Sequence, residues 1–144
     1  MILHGGLVAL RQGGLWGGAL ILGPSGVGKS DLALRALDLG LRLVADDRVT
    51  VWTSGGALWG RAPDPLAGRI EARGHGVGVE PSLAFAQVVL AVRCAAPGEA
   101  IERLPDPQAE IVAGVAIPLA RLDPREASAP AKLRRALLHL GHRP

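Results

Sequence analysis

At 144 residues and 49% hydrophobic content, the chain holds enough apolar side chains for one compact core and too few residues for two domains of ordinary size. Charged residues make up 20% and the formal net charge is +3, so the isoelectric point near 10.0 reflects the high pKa of arginine and not the large positive field of a nucleic-acid binder. Tyrosine is absent, phenylalanine occurs once and tryptophan three times, which leaves few platforms for stacking single-stranded bases.

The N-terminus lacks a basic flank, and His4, Arg11 and repeated glycines interrupt its apolar residues, which argues against a signal peptide or membrane span. A cytoplasmic protein with neither a membrane nor a nucleic-acid partner is expected. Two apolar stretches, Leu3 to Leu10 and Leu15 to Leu22, flank Arg11-Gln12-Gly13-Gly14 and predict two strands joined by a tight turn. Gly23-Pro24-Ser25-Gly26-Val27-Gly28-Lys29-Ser30 follows, a complete phosphate-binding loop of the G-x-x-x-x-G-K-S type. From Lys29 to Leu39, Asp31, Arg35 and Asp38 share one helical face while leucine and alanine cover the rest, and Gly40 is placed to end the helix.

Leu41 to Ala45 predicts a strand running into Asp46-Asp47, with Val49 to Trp52 continuing in extended form. Further strands are predicted at 57–60, 66–72, 77–79 and 87–92. Cys94, the single cysteine, closes the last of these runs as a buried, inert thiol, and no disulfide within the chain is available to it. Proline is dense from Pro97 to Pro107, a surface loop. Leu133, Ala136, Leu137 and Leu140 recur at helical spacing, predicting a terminal amphipathic helix over 131–140 with Ser128 as its cap and Pro130 in its first turn. With no repeat and no linker, a single domain over 1–144 is expected.

The phosphate loop carries the chemistry. Its glycines let backbone N–H groups turn inward toward phosphate oxygens, and the helix adds its positive N-terminal end. Lys29 would bridge the β- and γ-phosphates of a nucleoside triphosphate, and Ser30 would offer a hydroxyl to Mg²⁺ held jointly with the nucleotide. Gly23, Pro24, Ser25, Gly26, Val27, Gly28, Lys29 and Ser30 are thus the nucleotide-binding candidates. Asp46-Asp47 ends a strand, where a parallel sheet would bring it to the phosphate site. One carboxylate would help hold metal and the other accept a proton from an attacking hydroxyl, although a solvated Asp-Asp turn fits the spacing as well. Glu71 and Arg73 enter the glycine-rich bend Gly74-His75-Gly76; close approach to a phosphate and a surface strand of alternating charge are both compatible with them. His4 beside Gly5 has a structural reading as well as a catalytic one. His75, His139 and His142 show no metal-ligand spacing, and Arg134, Arg135 and Arg143 read as a solvated helix face.

In order and spacing, His4-Gly5, the phosphate loop, Leu43-Val44-Ala45-Asp46-Asp47 and Glu71-Ala72-Arg73-Gly74 resemble the catalytic domain of the HPr kinase/phosphorylase family. The resemblance covers Leu3 to Val79, and the chain looks like the short form that carries the catalytic domain alone. It implies an α/β P-loop domain with a mixed, β-rich sheet, similar to phosphoenolpyruvate carboxykinase. It also implies transfer of phosphate from ATP, with Mg²⁺, to a serine of the phosphocarrier HPr or its nitrogen-system relative, with phosphorolysis in reverse, and a homo-oligomer, hexameric in longer members. Carried over by residue, Lys29 contacts phosphate, Ser30 and Glu71 serve Mg²⁺, Asp47 is the acid/base group, Asp46 supports the metal region, and His4 and Arg73 line the site. The family's arginine in a proline-containing loop after the core has only a loose counterpart in 117–125, with Arg121 and Arg125 as candidates. Two rival functions are a nucleotide sensor that transfers nothing and a small-molecule kinase; a sensor has no need of a proton acceptor at Asp47.

Overall fold

An edge strand β1 (Ile2–His4) leads into the hairpin of β2 (Gly6–Gln12) and β3 (Leu15–Leu22) in the computed structural model, which describes residues 1–141. His142 and Arg143 lie outside the described residues. Gly13 and Gly14 turn the hairpin with φ of 57° and 80°, the left-handed pair that matches the twist of two antiparallel strands. The phosphate loop and α1 (Lys29–Leu37) come next. Then follow β4 (Arg42–Ala45), β5 (Arg48–Ser54), β6 (Ala57–Arg61), β7 (Arg69–Ala72), β8 (Gly76–Val79) and β9 (Ala86–Cys94). The hairpin β10 (Gln108–Val112) and β11 (Val115–Leu122) precedes α2 (Ala129–His139).

Nine strands form one mixed sheet in the order β1-β5-β6-β9-β3-β2-β4, with β11 also paired to β9 and β10 beyond it. β9 is its trunk: it runs parallel to β3 and to β11 and antiparallel to β6, and its centre, Val88-Val89-Leu90-Ala91-Val92, is an uninterrupted apolar run because both of its faces are buried there. The antiparallel partners of β2 are β3 and β4, so β4 runs in the same direction as β3. The carboxyl ends of β3, β4, β9 and β11 therefore lie at one edge of the sheet, beside the start of β2. β7 and β8 make a separate two-stranded hairpin.

One core fills the space between the sheet and the helices, around Val8, Ile21, Leu32, Leu43, Leu90 and Leu133. A second, around Leu7, Leu20, Val44, Val49, Leu58 and Ile117, is enclosed on the opposite face. Burying each such leucine contributes about 1.5–3 kcal/mol, so stability rests on these two clusters and not on the loops at the sheet edge.

The mixed, β-rich α/β architecture agrees with expectation, and five details differ. The single strand expected over Leu3 to Leu10 is two, β1 and β2, which break at Gly5 and pair with different strands. Asp46-Asp47 ends a strand whose sheet neighbour is antiparallel; strand direction, not parallel pairing, brings it to the phosphate loop. Residues 64–66 form a short 3-10 turn before Gly68, so the strand predicted from 66 begins at Arg69. The segment 117–121, taken as a loop, lies inside β11, where Pro118 opposes Ala109. Ser128 makes no side-chain cap bond to α2.

Candidate functional site

Gly23 starts the phosphate loop pressed against the end of β9, where a Cβ would stand 3.1 Å from both the Cβ and the carbonyl oxygen of Cys94. Gly26 and Gly28 have φ of 77° and 114°, a region that side chains other than glycine occupy at a cost. They wrap the loop so that α1 begins at Gly28 with no side-chain cap, leaving the first N–H groups of the helix for an anion. The Lys29 ammonium donates to the carbonyls of Gly23 at 2.6 Å and Pro24 at 3.0 Å, which pins it across the mouth of its own loop.

Asp46 is the one charged side chain buried among the described residues, and both of its oxygens are used. Oδ1 accepts the Ser30 hydroxyl at 2.7 Å, and Oδ2 accepts the Glu71 backbone N–H at 3.1 Å. A single carboxylate thus joins the first turn of α1 to the β7-β8 hairpin, and it brings Glu71 and Arg73 over the phosphate loop. Asp47 takes the opposite course. Its backbone adopts φ of 69°, which aspartate tolerates better than most residues, and its carbonyl accepts the Gly5 N–H at 3.0 Å. Its side chain is 71% exposed, 3.8 Å from the Arg48 guanidinium. Gly5 has to be glycine here, because a Cβ would run into the Ile21 carbonyl oxygen.

Together these residues line a cleft of about 500 Å³, with the loop from Ser25 to Ser30, His4 and Gly5 with Asp47 bonded beside them, and Glu71 and Arg73 from the β7-β8 hairpin. Asp31, Pro97 and Arg125 also reach it. Every catalytic and metal candidate from the sequence except Asp46 lines this space, and Asp46 sits directly behind it. Gly23 and Pro24 enter through their carbonyls on Lys29. Of the two arginines, Arg125 reaches the cleft while Arg121 donates to Gln108 at 3.2 Å and lines a separate groove between the 99–108 segment and α2. Asp31 and Pro97 were not among the sequence candidates; nothing about a proline in a proline-rich stretch marks it before the end of β9 is placed.

Lys29, Arg73 and Arg125 line the cleft beside the carboxylates of Asp31, Asp47 and Glu71. The Arg125 guanidinium makes two bonds to Asp123, at 2.9 and 3.2 Å; this pair, reinforced by the Arg125 N–H, holds the Asp123 carboxyl below its ordinary pKa and raises that of Arg125. Behind the loop, burial pushes the Cys94 thiol up to about 11, against the opposing pull of the Lys29 and Arg35 charges. It is therefore no nucleophile at neutral pH.

The oxygens that face the cleft, the Ser30 hydroxyl and the Glu71 carboxylate, suit a hard cation, with Asp46 holding both residues from behind. No group of three or more His, Cys, Asp or Glu able to hold a metal occurs among the described residues.

The curated HPr kinase/phosphorylase of Clostridium tetani is 42% identical over 91 residues, 63% of this chain and 28% of its own length. That of Streptococcus thermophilus is 49% identical over 61 residues, 42% of this chain and 20% of its own. The matched stretches thus span under a third of these relatives. A solved structure of the Hpr(Ser) kinase/phosphatase from Coxiella burnetii superposes with a TM-score of 0.81 at 22% identity, covering 96% of this chain and 94% of that one, and shares the fold. Among the described residues no helix is long and apolar enough to cross a membrane. The profile of the HPr Serine kinase C-terminal domain matches residues 1–123, and the chain belongs to that family.

Proposed function

We propose that this chain is an ATP-dependent protein-serine kinase that phosphorylates an HPr-type phosphocarrier. The observation that carries the reading is the exposed Asp47 carboxylate on the wall of a phosphate-loop cleft, with its backbone fixed by Gly5. A nucleotide sensor has use for Lys29 and Ser30 but none for a carboxylate so placed.

Loop N–H groups and the start of α1 bind the triphosphate, and Lys29, with two of its three protons on loop carbonyls, turns the third to a phosphate oxygen. Mg²⁺, when bound with the nucleotide, supplies neutralisation of the phosphate charge. Ser30 and Glu71 offer oxygens to it, and Asp46 fixes both by the bonds described. Asp47 accepts the proton of the incoming serine hydroxyl as the serine oxygen bonds to the γ-phosphorus and the bond to the β,γ-bridging oxygen breaks, releasing ADP. In reverse, the same carboxyl returns the proton while inorganic phosphate takes up the phosphoryl group as pyrophosphate. His4, Arg73 and Arg125 add hydrogen-bond donors on the walls.

The test is intact-mass detection of transfer from Mg·ATP to a purified HPr-family protein, with the acceptor serine changed to alanine as control. One serine-dependent phosphoryl gain is expected. ATP binding with no transfer across several such carriers would overturn the kinase reading in favour of a sensor.

A further inference from the structure

Arg35 lies in the last turn of α1, and its guanidinium is shared among three oxygens on two segments distant in sequence. Nε donates to the Asp31 carboxylate at 2.9 Å. Nη1 donates to the Glu126 carbonyl at 3.2 Å, and Nη2 makes a short bond to the Pro124 carbonyl. The two backbone acceptors flank Arg125, the residue that reaches the cleft from beyond β11. Pro124 is buried against the start of α1, its ring 3.7 Å from where a Cβ on Gly28 would stand. Arg125 itself is oriented by Asp123 through its side chain and its N–H.

From this geometry we infer that Arg35 is a positioning residue that ties the segment 124–126 to α1, and so holds Arg125 beside the phosphate loop. The inference rests on the cleft being the nucleotide site. A planar guanidinium spans carbonyls on both sides of Arg125 together with a carboxylate on its own helix; the single ammonium of lysine cannot present that fork. The loop and the arginine above it therefore move as one body, and the side chain has little freedom left to lose when a phosphate binds.

The experiment is a double-mutant cycle on the whole chain, reading affinity for a fluorescent ATP analogue with Mg²⁺. Arg35→Ala and Arg125→Ala are each expected to weaken binding about tenfold, the scale of one charge-assisted hydrogen bond. In the Arg125→Ala background, Arg35→Ala should add less than about twofold. Effects that multiply in full would overturn the inference. So would restoration of Arg35→Ala by Asp31→Asn, since that would place the role of Arg35 in screening Asp31. Arg35→Lys runs in parallel and is expected to bind within about threefold of Arg35→Ala, which keeps the cycle readable if the alanine variant folds poorly. Amide exchange gives a readout that needs no nucleotide: the Arg125 and Glu126 N–H groups should exchange about tenfold faster in Arg35→Ala, and unchanged exchange would overturn the inference. Failure of the wild-type chain to bind nucleotide would sink the kinase reading alone, with the exchange measurement still deciding the role of Arg35.

Discussion

The Ser30 hydroxyl donates to the Asp46 carboxylate at 2.7 Å, although 16 residues separate them, because β3 and β4 deliver the phosphate loop and the aspartate pair to the same edge of the sheet. The second Asp46 oxygen holds the Glu71 N–H, so the carboxylate is fully used and buried. Removing one partner leaves the other desolvated and unpaired. Ser30→Ala is expected to lower stability by about 1–3 kcal/mol on that account, read from the urea midpoint. Asp46→Ala should in addition release the β7-β8 hairpin, seen as faster amide exchange at Glu71. Wild-type exchange at Glu71 in that variant would show that other contacts hold the hairpin.

Asp47 separates catalysis from stability. Its left-handed backbone is tolerated by asparagine and glycine and costs other residues about 1–2 kcal/mol. Asp47→Asn should therefore keep the melting temperature and nucleotide affinity of the wild type while slowing transfer by about 10²- to 10⁴-fold, the usual worth of a positioned base. Asp47→Ala should lose transfer equally and melt lower. Equal transfer rates in wild type and Asp47→Asn would remove the residue from the chemistry.

Much of this site is legible in the sequence because phosphate binding makes local demands. Glycines at fixed spacing before a lysine and a serine, between an apolar strand and an apolar helix, have few other uses, and the structure gives Gly26 and Gly28 the positive φ that those uses require. The Asp46-Asp47 pair is harder, since two adjacent aspartates carry no sign of which one is buried. That division depends on Ser30 and Glu71 arriving from elsewhere in the chain, and spacing alone left a solvated turn open for both. The β10-β11 hairpin was illegible for a different reason. Pro118 reads as a loop signal, yet it sits on a strand where Ala109 opposes it and where the parallel partner β9 is engaged only from Leu119 onward, so its missing N–H costs that ladder nothing. With the hairpin unseen, nothing in the sequence separated Arg125 from Arg121, which differ in that one lies beyond the strand end and the other within it.

Lys29 is one of two lysines in the chain, and its bonds to Gly23 and Pro24 give it a second role as a brace for the loop. Lys29→Ala should weaken Mg·ATP binding by about 10- to 100-fold, the equivalent of one strong charged hydrogen bond, and reduce transfer further. The brace predicts that exchange of the Val27 and Gly28 amides also rises without nucleotide. Unchanged exchange there would confine the lysine to phosphate contact.

Cys94 sets an alkaline limit on stability. Its thiol is raised to about 11 by burial, against about 8.5 for an exposed cysteine. Below pH 8 the thiol is protonated in both states and contributes no slope. Between about pH 8.5 and 11 the unfolded chain gives up this proton while the folded chain keeps it, so the unfolded state binds fewer protons and stability falls as pH rises. The loss approaches about 3 kcal/mol at the top of that window. The chain has no tyrosine and two lysines, so few other groups titrate there. Urea midpoints of wild type and Cys94→Ala should therefore converge as pH is raised from 8 to 10.5, with the variant lower at pH 8 because it leaves a small cavity behind Gly23. Parallel curves across that range would mean that the thiolate is accommodated in the folded state, and that the wall between β9 and the phosphate loop is more open to water than the packing of Cys94 against Gly23 implies.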